Sequence, residues 1–401
     1  RTITGGSTVR GLRKYLTPFA PDQSGAVSVL YELGGLIAIC DAGGCTGNVC
    51  GFDEPRWFEQ KSALFSAGLR DMDAILGRDD RLVEKLVDAA SKLDVKFVAI
   101  IGTPVPAVIG TDYKALGRMC EKRLNMPVIT IDTDGMELYD VGEEKAWLEL
   151  FGTFAEKGKP NLDIEKKRGK IGVLGLTPQD ISDLRAPKKI REYYQEKEGK
   201  EAICYCMGEN VCRSTYGLDN HRTAGEVEKN IVVSPAALAA AKYLEKTFGT
   251  PYEVTYPIVE ELVPDMDYRG KKILIVHQQV IGNAMRAEIR RRCQKVNGDP
   301  SVDNNAVITV ASWFMMKQEL SEEGDISFRE EDDYMELVKE EDYDIVFADP
   351  MMKRMTEDAY KMAGTGYAAD AYETERKRIF IDATHFAVSG KLREEMKKRE
   401  A

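Results

Sequence analysis

The sequence predicts an α/β protein built from doubly wound, Rossmann-like domains with parallel sheets. Short β-branched runs recur along the chain, each run is followed by a turn of small residues, and a helical pattern comes next. That order is typical of βα units, whose strands pair in parallel. The chain has 401 residues, enough for roughly two to four domains. We therefore expect several sheets, each with its own core.

Five apolar runs are the clearest strands. They occupy residues 96–102, 170–175, 230–234, 272–277 and 344–348. Three of the runs are followed closely by proline, at Pro104, Pro235 and Pro350, and the fixed φ of proline suits the start of a helix. Amphipathic spacing predicts helices between the strands. These helices span residues 80–93, 112–124, 187–196, 236–247, 282–293, 332–340 and 390–399.

Two polar segments indicate where one domain ends and the next begins. Residues 157–170 are rich in charge and contain Pro160, and residues 265–272 are polar with a glycine. Each segment leads through a Gly-Lys pair into an apolar strand. We predict three α/β domains, the first with a cysteine-rich loop and the last with a C-terminal helix. Their bounds are residues 1–165, 166–269 and 270–401. Ligand sites in such domains lie at the carboxyl ends of the strands.

Composition argues against several classes of function. The chain has 56 Lys and Arg against 67 Asp and Glu, a formal net charge of −11, and its basic residues are scattered. Binding to nucleic acid or to an anionic membrane is therefore disfavoured. The longest apolar stretch, residues 26–40, is interrupted by Glu32 and a glycine pair and is too short to cross a bilayer. The sequence shows no cationic-then-apolar leader, so we expect a cytoplasmic protein.

Six of the eight cysteines fall into two groups, which indicates metal or redox sites in a reducing compartment. The first group is Cys40, Cys45 and Cys50, in a glycine-rich loop after an apolar strand. Gly43 and Gly44 let the backbone approach a cofactor and offer amide donors to it. Thiolates suit an iron–sulfur cluster, and a [4Fe–4S] cluster takes four ligands. Cys45 and Cys50 are the favoured metal ligands.

Cys40 ends the strand, so it is either a third ligand or a buried packing residue. A structural glycine loop without any cluster is the alternative for the whole segment. The second group follows a strand at residues 201–204, and its members Cys206 and Cys212 are candidate ligands, redox thiols or packing residues. The basic residues near them are Arg213, His221 and Arg222. We expect that positive character to lower a thiol pKa and to suit an anionic substrate.

His385 follows an apolar strand, at the carboxyl end where catalytic loops gather, and is a candidate catalytic residue. His277 closes another strand and is expected to be a packed, hydrogen-bonded core residue. With three histidines in the chain, a zinc site built on imidazoles is disfavoured. The sequence has no P-loop, so we do not expect this chain to hydrolyse nucleotides. Residues 364–369 lack the third glycine and the preceding strand of a dinucleotide fingerprint.

Four segments, taken in order, resemble the nitrogenase component 1 family. Asp41-Ala-Gly-Gly-Cys45 stands where that family has a His-Gly-Pro-x-Gly-Cys segment with a cluster-binding cysteine. Ala107-Val-Ile-Gly-Thr-Asp112 is similar to its Leu-Ile-Gly-Asp-Asp turn. Gly175-Leu-Thr-Pro-Gln-Asp180 resembles the end of a strand in its second domain. Tyr243-Leu-Glu-Lys-Thr-Phe-Gly-Thr-Pro-Tyr252 resembles its helix that ends in Phe-Gly-x-Pro-Tyr. The family includes nitrogenase subunits, cofactor-assembly scaffolds and reductase cores acting on protochlorophyllide or nickel tetrapyrroles.

The chain also departs from the family pattern. Family members commonly supply three cluster cysteines per subunit, and two of those positions fall here on Phe19 and Pro104, which cannot bind iron. Only Cys45 carries over as a ligand. The cofactor-binding cysteine of the nitrogenase catalytic subunit falls at about Val233. Dinitrogen reduction is therefore disfavoured.

The resemblance implies an anaerobic reductase core with an iron–sulfur cluster at a dimer interface. Cys45 and Cys50 from each of two chains would make four thiolates for a [4Fe–4S] cluster. The partner subunit would be a second copy or a related chain. A separate ATP-dependent iron–sulfur reductase would supply electrons, and a small molecule bound between the domains would be the substrate.

Other residues take roles around that cluster. Cys206 and His385 would contact the substrate as catalytic residues, and Cys212 would bind a cofactor. Asp41, beside the cluster loop, would be a proton donor or an unusual ligand. One alternative is a non-catalytic scaffold or carrier for a metal cluster or a tetrapyrrole, since one fold serves many functions. Another is a diverged α/β binding protein whose cysteines only pack.

Overall fold

The structure is a computed structural model of the chain. It describes residues 13–58, 60–70, 73, 77, 79–155, 169–207, 217–295, 306–362 and 378–385. These residues form two compact units. The large unit contains residues 20–258 and His385, and the small unit contains residues 13–19 and 259–384. The predicted helix over residues 390–399 and the glycine segment at residues 364–369 lie outside the described residues.

The first sheet of the large unit is parallel and has four strands. Its strands are β1 (Leu36–Ile39), β2 (Ala63–Ser66), β3 (Val98–Ile101) and β4 (Val128–Ile131), in the order β2-β1-β3-β4. Every residue of β1 and β3 is buried. Continuous Val, Ile, Leu and Ala runs form such strands because helices cover both faces of a parallel sheet.

The helices around this sheet follow the strands in turn. They are α1 (Asp22–Leu30), α2 (Gly44–Asn48), α3 (Asp79–Ser91), α4 (Pro104–Ile109), α5 (Tyr113–Leu124) and α6 (Tyr139–Phe154). A π-helical turn, Val49–Asp53, and a 3-10 turn, Pro55–Phe58, follow α2. Helix α5 begins where the sequence predicts it, because the Asp112 side chain accepts a hydrogen bond from the backbone N–H of Ala115.

Helices α1 and α6 are absent from the predicted set, and they pack against each other without room for side chains at the contact. A Cβ atom added to Gly25 would lie 1.8 Å from the Tyr139 carbonyl oxygen. A Cβ atom added to Gly142 would lie 1.8 Å from the Asp22 carbonyl oxygen. Every residue of α1 is buried, and the buried face of α6 carries the charged residues Asp140 and Glu143, so neither helix has the clean apolar face that periodicity detects.

The second sheet of the large unit is also parallel and four-stranded. Its strands are β5 (Lys170–Leu174), β6 (Glu201–Cys204), β7 (Lys229–Val232) and β8 (Tyr252–Val254), in the order β6-β5-β7-β8. Its helices are α7 (Ala186–Glu198), α8 (Gly217–Arg222) and α9 (Leu238–Phe248). The predicted helix over residues 236–247 begins two residues later, at Leu238, because Pro235–Ala237 form a separate 3-10 turn in which the Ser234 hydroxyl accepts a hydrogen bond from the Ala236 backbone N–H.

The small unit has one five-stranded parallel sheet. Its strands are β9 (Lys272–Val276), β10 (Val307–Ser312), β11 (Ile326–Ser327), β12 (Ile345–Ala348) and β13 (Ile379–Asp382), in the order β11-β10-β9-β12-β13. Its helices are α10 (Gln279–Lys295), α11 (Glu331–Glu341) and α12 (Lys353–Met362). The predicted α/β class with parallel sheets is confirmed. Among the helices described, none is long and apolar enough to cross a membrane.

Candidate functional site

The cysteine loop, residues 41–53, leaves the carboxyl end of β1. Cys45 lies on α2 and Cys50 on the π-helical turn, and both side chains are half-buried with free thiols. Gly43 has a φ of +120°, a conformation that favours glycine. A Cβ atom added to Gly43 or Gly44 would meet nothing within 4 Å. The face of the loop that carries the glycines is therefore open to a bound group.

The two loop thiols bind their protons more tightly than an ordinary cysteine does. Burial raises the pKa of Cys45, and the nearby Asp41 carboxylate adds to the effect. Burial also raises the pKa of Cys50, with Glu54 adding to it and Lys61 opposing it. A metal bound here must displace these protons, because thiolates are the ligand form of cysteine.

Asp41 holds the cysteine loop in place. Its side chain is buried, Oδ2 accepts a hydrogen bond from the Thr46 backbone N–H at 2.7 Å, and Oδ1 accepts one from the Ser66 hydroxyl at 2.5 Å. Both carboxylate oxygens are thus used within the loop and the adjoining strand. The expected role of Asp41 as proton donor or ligand stays a prediction, and the geometry adds a positioning role.

Cys40 lies below the loop in the core of the first sheet. It is 1% exposed and packs in one apolar cluster with Ala38, Val98 and Cys120. Burial raises the pKa of the Cys40 thiol to about 12. The sequence leaves Cys40 as either a third metal ligand or a packing residue. This environment favours packing, because an apolar surrounding disfavours the thiolate that a metal requires.

Cys206, in the second cysteine group, follows β6 and is buried with a left-handed backbone φ of +71°. Its Sγ lies 3.7 Å from Nε2 of His221, while Nδ1 of His221 lies 2.9 Å from the Gly217 carbonyl oxygen. Burial lowers the pKa of His221 to about 4 and raises the pKa of Cys206. The expectation that basic neighbours lower the thiol pKa is wrong for Cys206, because burial raises this pKa by more than the nearby Arg56 charge lowers it. Cys212 and Arg213 lie outside the described residues.

Arg56, which the sequence analysis missed, joins this second group to the cysteine loop. Its buried guanidinium donates to both carboxylate oxygens of Glu54, at 2.7 and 2.8 Å, and to Glu32 at 2.9 Å. It also donates to the carbonyl oxygens of Ser28, at 2.7 Å, and Cys206, at 3.2 Å. A charge this far from water is stable only when paired, so this network fixes the base of the loop against the end of β6.

His385 is buried in the large unit beside acidic side chains from α6 and from the segment after β5. Its Nε2 lies 3.0 Å from the Tyr139 hydroxyl, and that hydroxyl donates to Asp180 Oδ1 at 2.8 Å. Glu143, one turn further along α6, accepts a hydrogen bond from the Thr177 hydroxyl at 2.6 Å. We call Tyr139, Glu143, Asp180 and His385 the acid cluster.

The two carboxyl groups of the acid cluster bind protons unusually well. Burial raises the pKa of Glu143 well above its ordinary value, and the Asp180 charge adds to this effect. Burial also raises the pKa of Asp180, to about 6. The sequence identifies His385 as a candidate, but only the fold shows which side chains it contacts.

One side chain connects the acid cluster to the cysteine loop. Gln179, the neighbour of Asp180, donates from Nε2 to the carbonyl oxygen of Asp53 at the end of the loop. The Asp53 carboxylate in turn accepts hydrogen bonds from Ser24 and Asn48, both at 2.7 Å. The loop and the acid cluster are therefore adjoining parts of one polar region.

Large apolar side chains are exposed at the same edge of the first sheet. Phe52, Val108 and Met136 are 68%, 86% and 81% exposed, and they follow β1, β3 and β4 respectively. Carboxyl ends of parallel strands share one edge, so these side chains lie on the side of the sheet that carries the cysteine loop. We call these three residues the apolar rim.

One copy of the chain does not present a complete metal site in its described residues. No group of three or more His, Cys, Asp or Glu side chains in that part of the chain could hold a metal ion. The donors that do fit an iron–sulfur cluster are the thiols of Cys45 and Cys50, on a loop whose glycines leave open space. Two such thiols are half of the four thiolates that a [4Fe–4S] cluster would require.

The parallel sheets and the open cysteine loop define a doubly wound α/β protein with a candidate cofactor site at a strand edge. Residues 24–259 match the family model described as nitrogenase component 1 type oxidoreductase. The chain belongs to this family, as its motifs predict.

The related proteins found by sequence cover part of the chain. Over 194 residues the chain is 23% identical to the nitrogenase iron-molybdenum cofactor biosynthesis protein NifE of Bradyrhizobium diazoefficiens. The aligned region covers 47% of this chain and 32% of that protein. Over 200 residues it is 26% identical to the protein of the same name from Clostridium pasteurianum, with coverages of 49% and 40%. The match thus spans less than half the length of these relatives.

A likeness at the level of the fold extends over nearly the whole chain. The solved structure described as nitrogenase Cp1 at pH 6.5 superposes with a TM-score of 0.62 and covers 98% of this chain and 94% of that one. The two sequences are 14% identical in this alignment. At that identity the likeness establishes the fold alone.

Proposed function

We propose that this protein is a nitrogenase-like reductase component that binds an iron–sulfur cluster between two copies of the chain. It would take electrons from an ATP-dependent iron–sulfur reductase and reduce a small molecule. The observation that carries the proposal is the pair of half-exposed thiols, Cys45 and Cys50, on the open glycine loop. The cluster, when bound, supplies low-potential electron transfer.

The chain's own residues divide the work of holding that cluster. Cys45 and Cys50 bind iron, while Gly43 and Gly44 admit the cluster to the backbone. Asp41 keeps α2 in place through the Thr46 N–H. Cys40 is a packing residue below the loop. Cys212 stays a proposed cofactor ligand, and Cys206 and His385 stay proposed catalytic residues at the ends of strands.

The apolar rim supports a second copy of the chain as the partner. Phe52, Val108 and Met136 expose apolar surface beside the cysteines, and soluble proteins expose contiguous apolar surface chiefly where something binds. Pairing two copies across this edge would bury the rim and bring four cysteines together. A related second subunit is an alternative outcome, which the mass of the purified complex distinguishes.

A scaffold or carrier for a metal cluster is the second candidate function. The specific observation in its favour is that both matched relatives are described as cofactor biosynthesis proteins. A scaffold would hold its cluster at the same cysteines and release it to another protein. If the protein instead carries a tetrapyrrole, we expect a bound pigment that remains when iron is removed.

Iron and acid-labile sulfide in protein purified without oxygen test the proposal. We expect about two irons per chain, equivalent to one four-iron cluster shared by two chains. Cys45→Ala and Cys50→Ala should lose this iron, whereas Cys120→Ala, a buried cysteine on α5, should keep it. About four irons per chain would point to one cluster in each chain. No iron after reconstitution would contradict cluster binding altogether.

Turnover separates the reductase from the scaffold. The cluster-loaded protein is mixed with an ATP-dependent iron–sulfur reductase, ATP and a chemical reductant, and the reductant consumed per chain is counted with candidate substrates. A reductase consumes many equivalents per chain and keeps its iron. A scaffold consumes only the reductant needed to reduce its own cluster once, and it loses its iron to an added apo-acceptor protein.

A further inference from the structure

The acid cluster contains two buried carboxyl oxygens to which no nitrogen or hydroxyl group donates. They are Glu143 Oε2 and Asp180 Oδ2, and no N–H or O–H donor of the described residues reaches either oxygen. The two carboxyl groups are close enough for the Asp180 charge to act on Glu143. Two carboxylates have only acceptor oxygens, and a buried negative charge without a donor or a cation is costly, so a proton held by one of the two groups would satisfy both oxygens.

The groups around the pair keep that proton in place. Asp140, on the same helix, adds negative charge, and the buried Cys206 thiol is within electrostatic reach of Glu143. Thr177 donates a hydrogen bond to Glu143 Oε1, and Tyr139 donates one to Asp180 Oδ1. Among the described residues no Lys or Arg forms an ion pair with either carboxyl group, and the nearest basic side chain to Asp180 in such a contact is His385, at 4.0 Å. Nothing in this shell therefore replaces the proton with a fixed positive charge.

Tyr139 and His385 continue the line of hydrogen bonds away from the pair. The Tyr139 hydroxyl lies within hydrogen-bond distance of both Asp180 Oδ1 and His385 Nε2, at 2.8 and 3.0 Å. A hydroxyl can accept a proton on its oxygen while it gives its own to a second acceptor. His385 approaches Asp180 only to 4.0 Å, so Tyr139 is the bridge between them.

We propose that Glu143 and Asp180 share one exchangeable proton and that Tyr139 passes it to His385, which makes the acid cluster a proton-donating site. This inference rests on the proposed function, because reduction of a small molecule consumes protons together with electrons. It deepens that function by naming the residues that supply them. Tyr139, Glu143 and Asp180 are relay residues that act through His385.

The transfer is balanced without any change of oxidation state. The Tyr139 hydroxyl first turns its proton from Asp180 Oδ1 to Nε2 of His385, which lies within reach of the same oxygen. The O–H bond of the Asp180 carboxyl group then breaks and its proton goes to the Tyr139 oxygen. The original Tyr139 O–H bond breaks, and that proton goes to Nε2 of a neutral His385. The products are two carboxylates, on Glu143 and Asp180, together with a neutral tyrosine and an imidazolium. A proton taken up from solvent then returns the pair to a singly charged state.

The position of the acid cluster suits this role. Gln179 joins the cysteine loop to the residue next to Asp180, so the proton source adjoins the loop proposed to bind the cluster. All four side chains are buried, which keeps the proton from exchanging directly with bulk water. The path through Tyr139 then governs how fast the proton moves.

Infrared spectroscopy of the metal-free protein tests the shared proton. Wild-type protein should show the C=O stretch of a protonated carboxyl group at neutral pH, with a shift in D₂O. Glu143→Gln keeps the shape and supplies an amide donor to Asp180, so this band should disappear. Glu192→Gln, an exposed glutamate on α7, should leave the band unchanged. A band that persists in Glu143→Gln would overturn the shared proton.

The rate of deuterium exchange tests the relay. After rapid mixing with D₂O, the band should shift about 10²-fold more slowly in Tyr139→Phe than in wild type, because the bridging oxygen is gone. His385→Gln provides a second variant, should Tyr139→Phe fold poorly, and should slow exchange as well. Equal exchange rates in wild type and in a folded variant would overturn the relay. Neither measurement involves the cluster, so iron-free protein would refute the proposed reductase while leaving these results readable.

Discussion

The cysteine loop and the acid cluster adjoin each other in the large unit, but their side chains differ in how deeply they are buried. The thiols of Cys45 and Cys50 are half-exposed on a loop with open space around its glycines. Glu143 and Asp180 are buried among helices and strands. A group as large as a metal cluster can enter at the first region. Only something as small as a proton can move through the second.

The contrast also appears in what holds each region in place. The loop is anchored from below, by Asp41 on its backbone and by Arg56 at its base. The acid cluster is enclosed by packing, where α1 and α6 meet through Gly25 and Gly142. Changes at the anchors and the enclosure should therefore alter stability, while changes at the thiols should alter binding alone.

The largest effect is expected from Arg56→Met. The change leaves Glu32 and Glu54 buried without their counter-charge, which costs about 3–5 kcal/mol of unfolding free energy. Urea unfolding followed by tryptophan fluorescence measures it. Lys92→Met, which removes an exposed partner of Asp88, is the control and should change stability by about 0–1 kcal/mol. Similar losses for both variants would show that Arg56 is not an anchor of the loop.

A methyl group at the helix contact tests the enclosure of the acid cluster. In Gly142→Ala the new Cβ atom meets the Asp22 carbonyl oxygen at 1.8 Å, so α1 and α6 must separate at a cost of about 1–3 kcal/mol. Gly152→Ala lies on the same helix, where an added Cβ atom meets nothing within 4 Å. It should stabilise the protein by up to about 1 kcal/mol. Thermal unfolding measures the change in stability of both variants. Changes of the same sign would refute the close contact between α1 and α6.

The pH dependence of stability distinguishes the buried acids from exposed ones. Because burial raises the pKa of Glu143 and Asp180, the folded state holds protons that the unfolded state releases. Their contribution is fully present below the unfolded pKa of about 4 and is lost as the pH rises through the folded values. We expect a loss on the order of 1–3 kcal/mol across that window.

Unfolding in urea at several pH values between acid and neutral measures this dependence. Glu143→Gln should flatten the curve, since the amide needs no proton to bond Asp180. Glu192→Gln should give a curve parallel to that of the wild type. A wild-type curve that rises over the same window would contradict a proton held in the fold.

The smallest effect is expected at the loop thiols. Cys45→Ser and Cys50→Ser should change the stability of metal-free protein by less than about 0.5 kcal/mol, because both side chains are half-exposed. Cys40→Ser places a hydroxyl in the apolar core and should cost about 1–3 kcal/mol. Chemical unfolding under reducing conditions compares the three. A costly Cys45→Ser would mean that the loop needs its thiol for folding.

Local patterns were sufficient for the most apolar strands of the sheets, while strands such as β4 and β10 are absent from the predicted set. The predicted strands at residues 170–175 and 272–277 match β5 and β9 closely, because a run of buried Val, Ile and Leu is recognisable by itself. Helices α1 and α6 were not predictable in this way. Helix α6 buries the charged residues Asp140 and Glu143 and exposes Leu148, so apolar and polar residues are not cleanly separated in its sequence.

The candidate site likewise has one part that local sequence patterns identify and another that only the fold brings together. Cysteine spacing within eleven residues is enough to single out the loop with Cys45 and Cys50, since its members are neighbours in the chain. His385 could be picked out only as the end of a strand. Its partner Tyr139 lies 246 residues earlier, and no local pattern relates the two.

Proton affinity is the property that depends most on the tertiary structure. Residue types and their order specify which side chains can bind iron, can be acids or can form strands, because those are local chemical properties. Whether an acid keeps its proton depends on the water it loses and the charges it meets, and both are determined by segments far apart in the chain. Cys40 and Cys45 are five residues apart, and folding alone makes one a core residue and the other a candidate ligand.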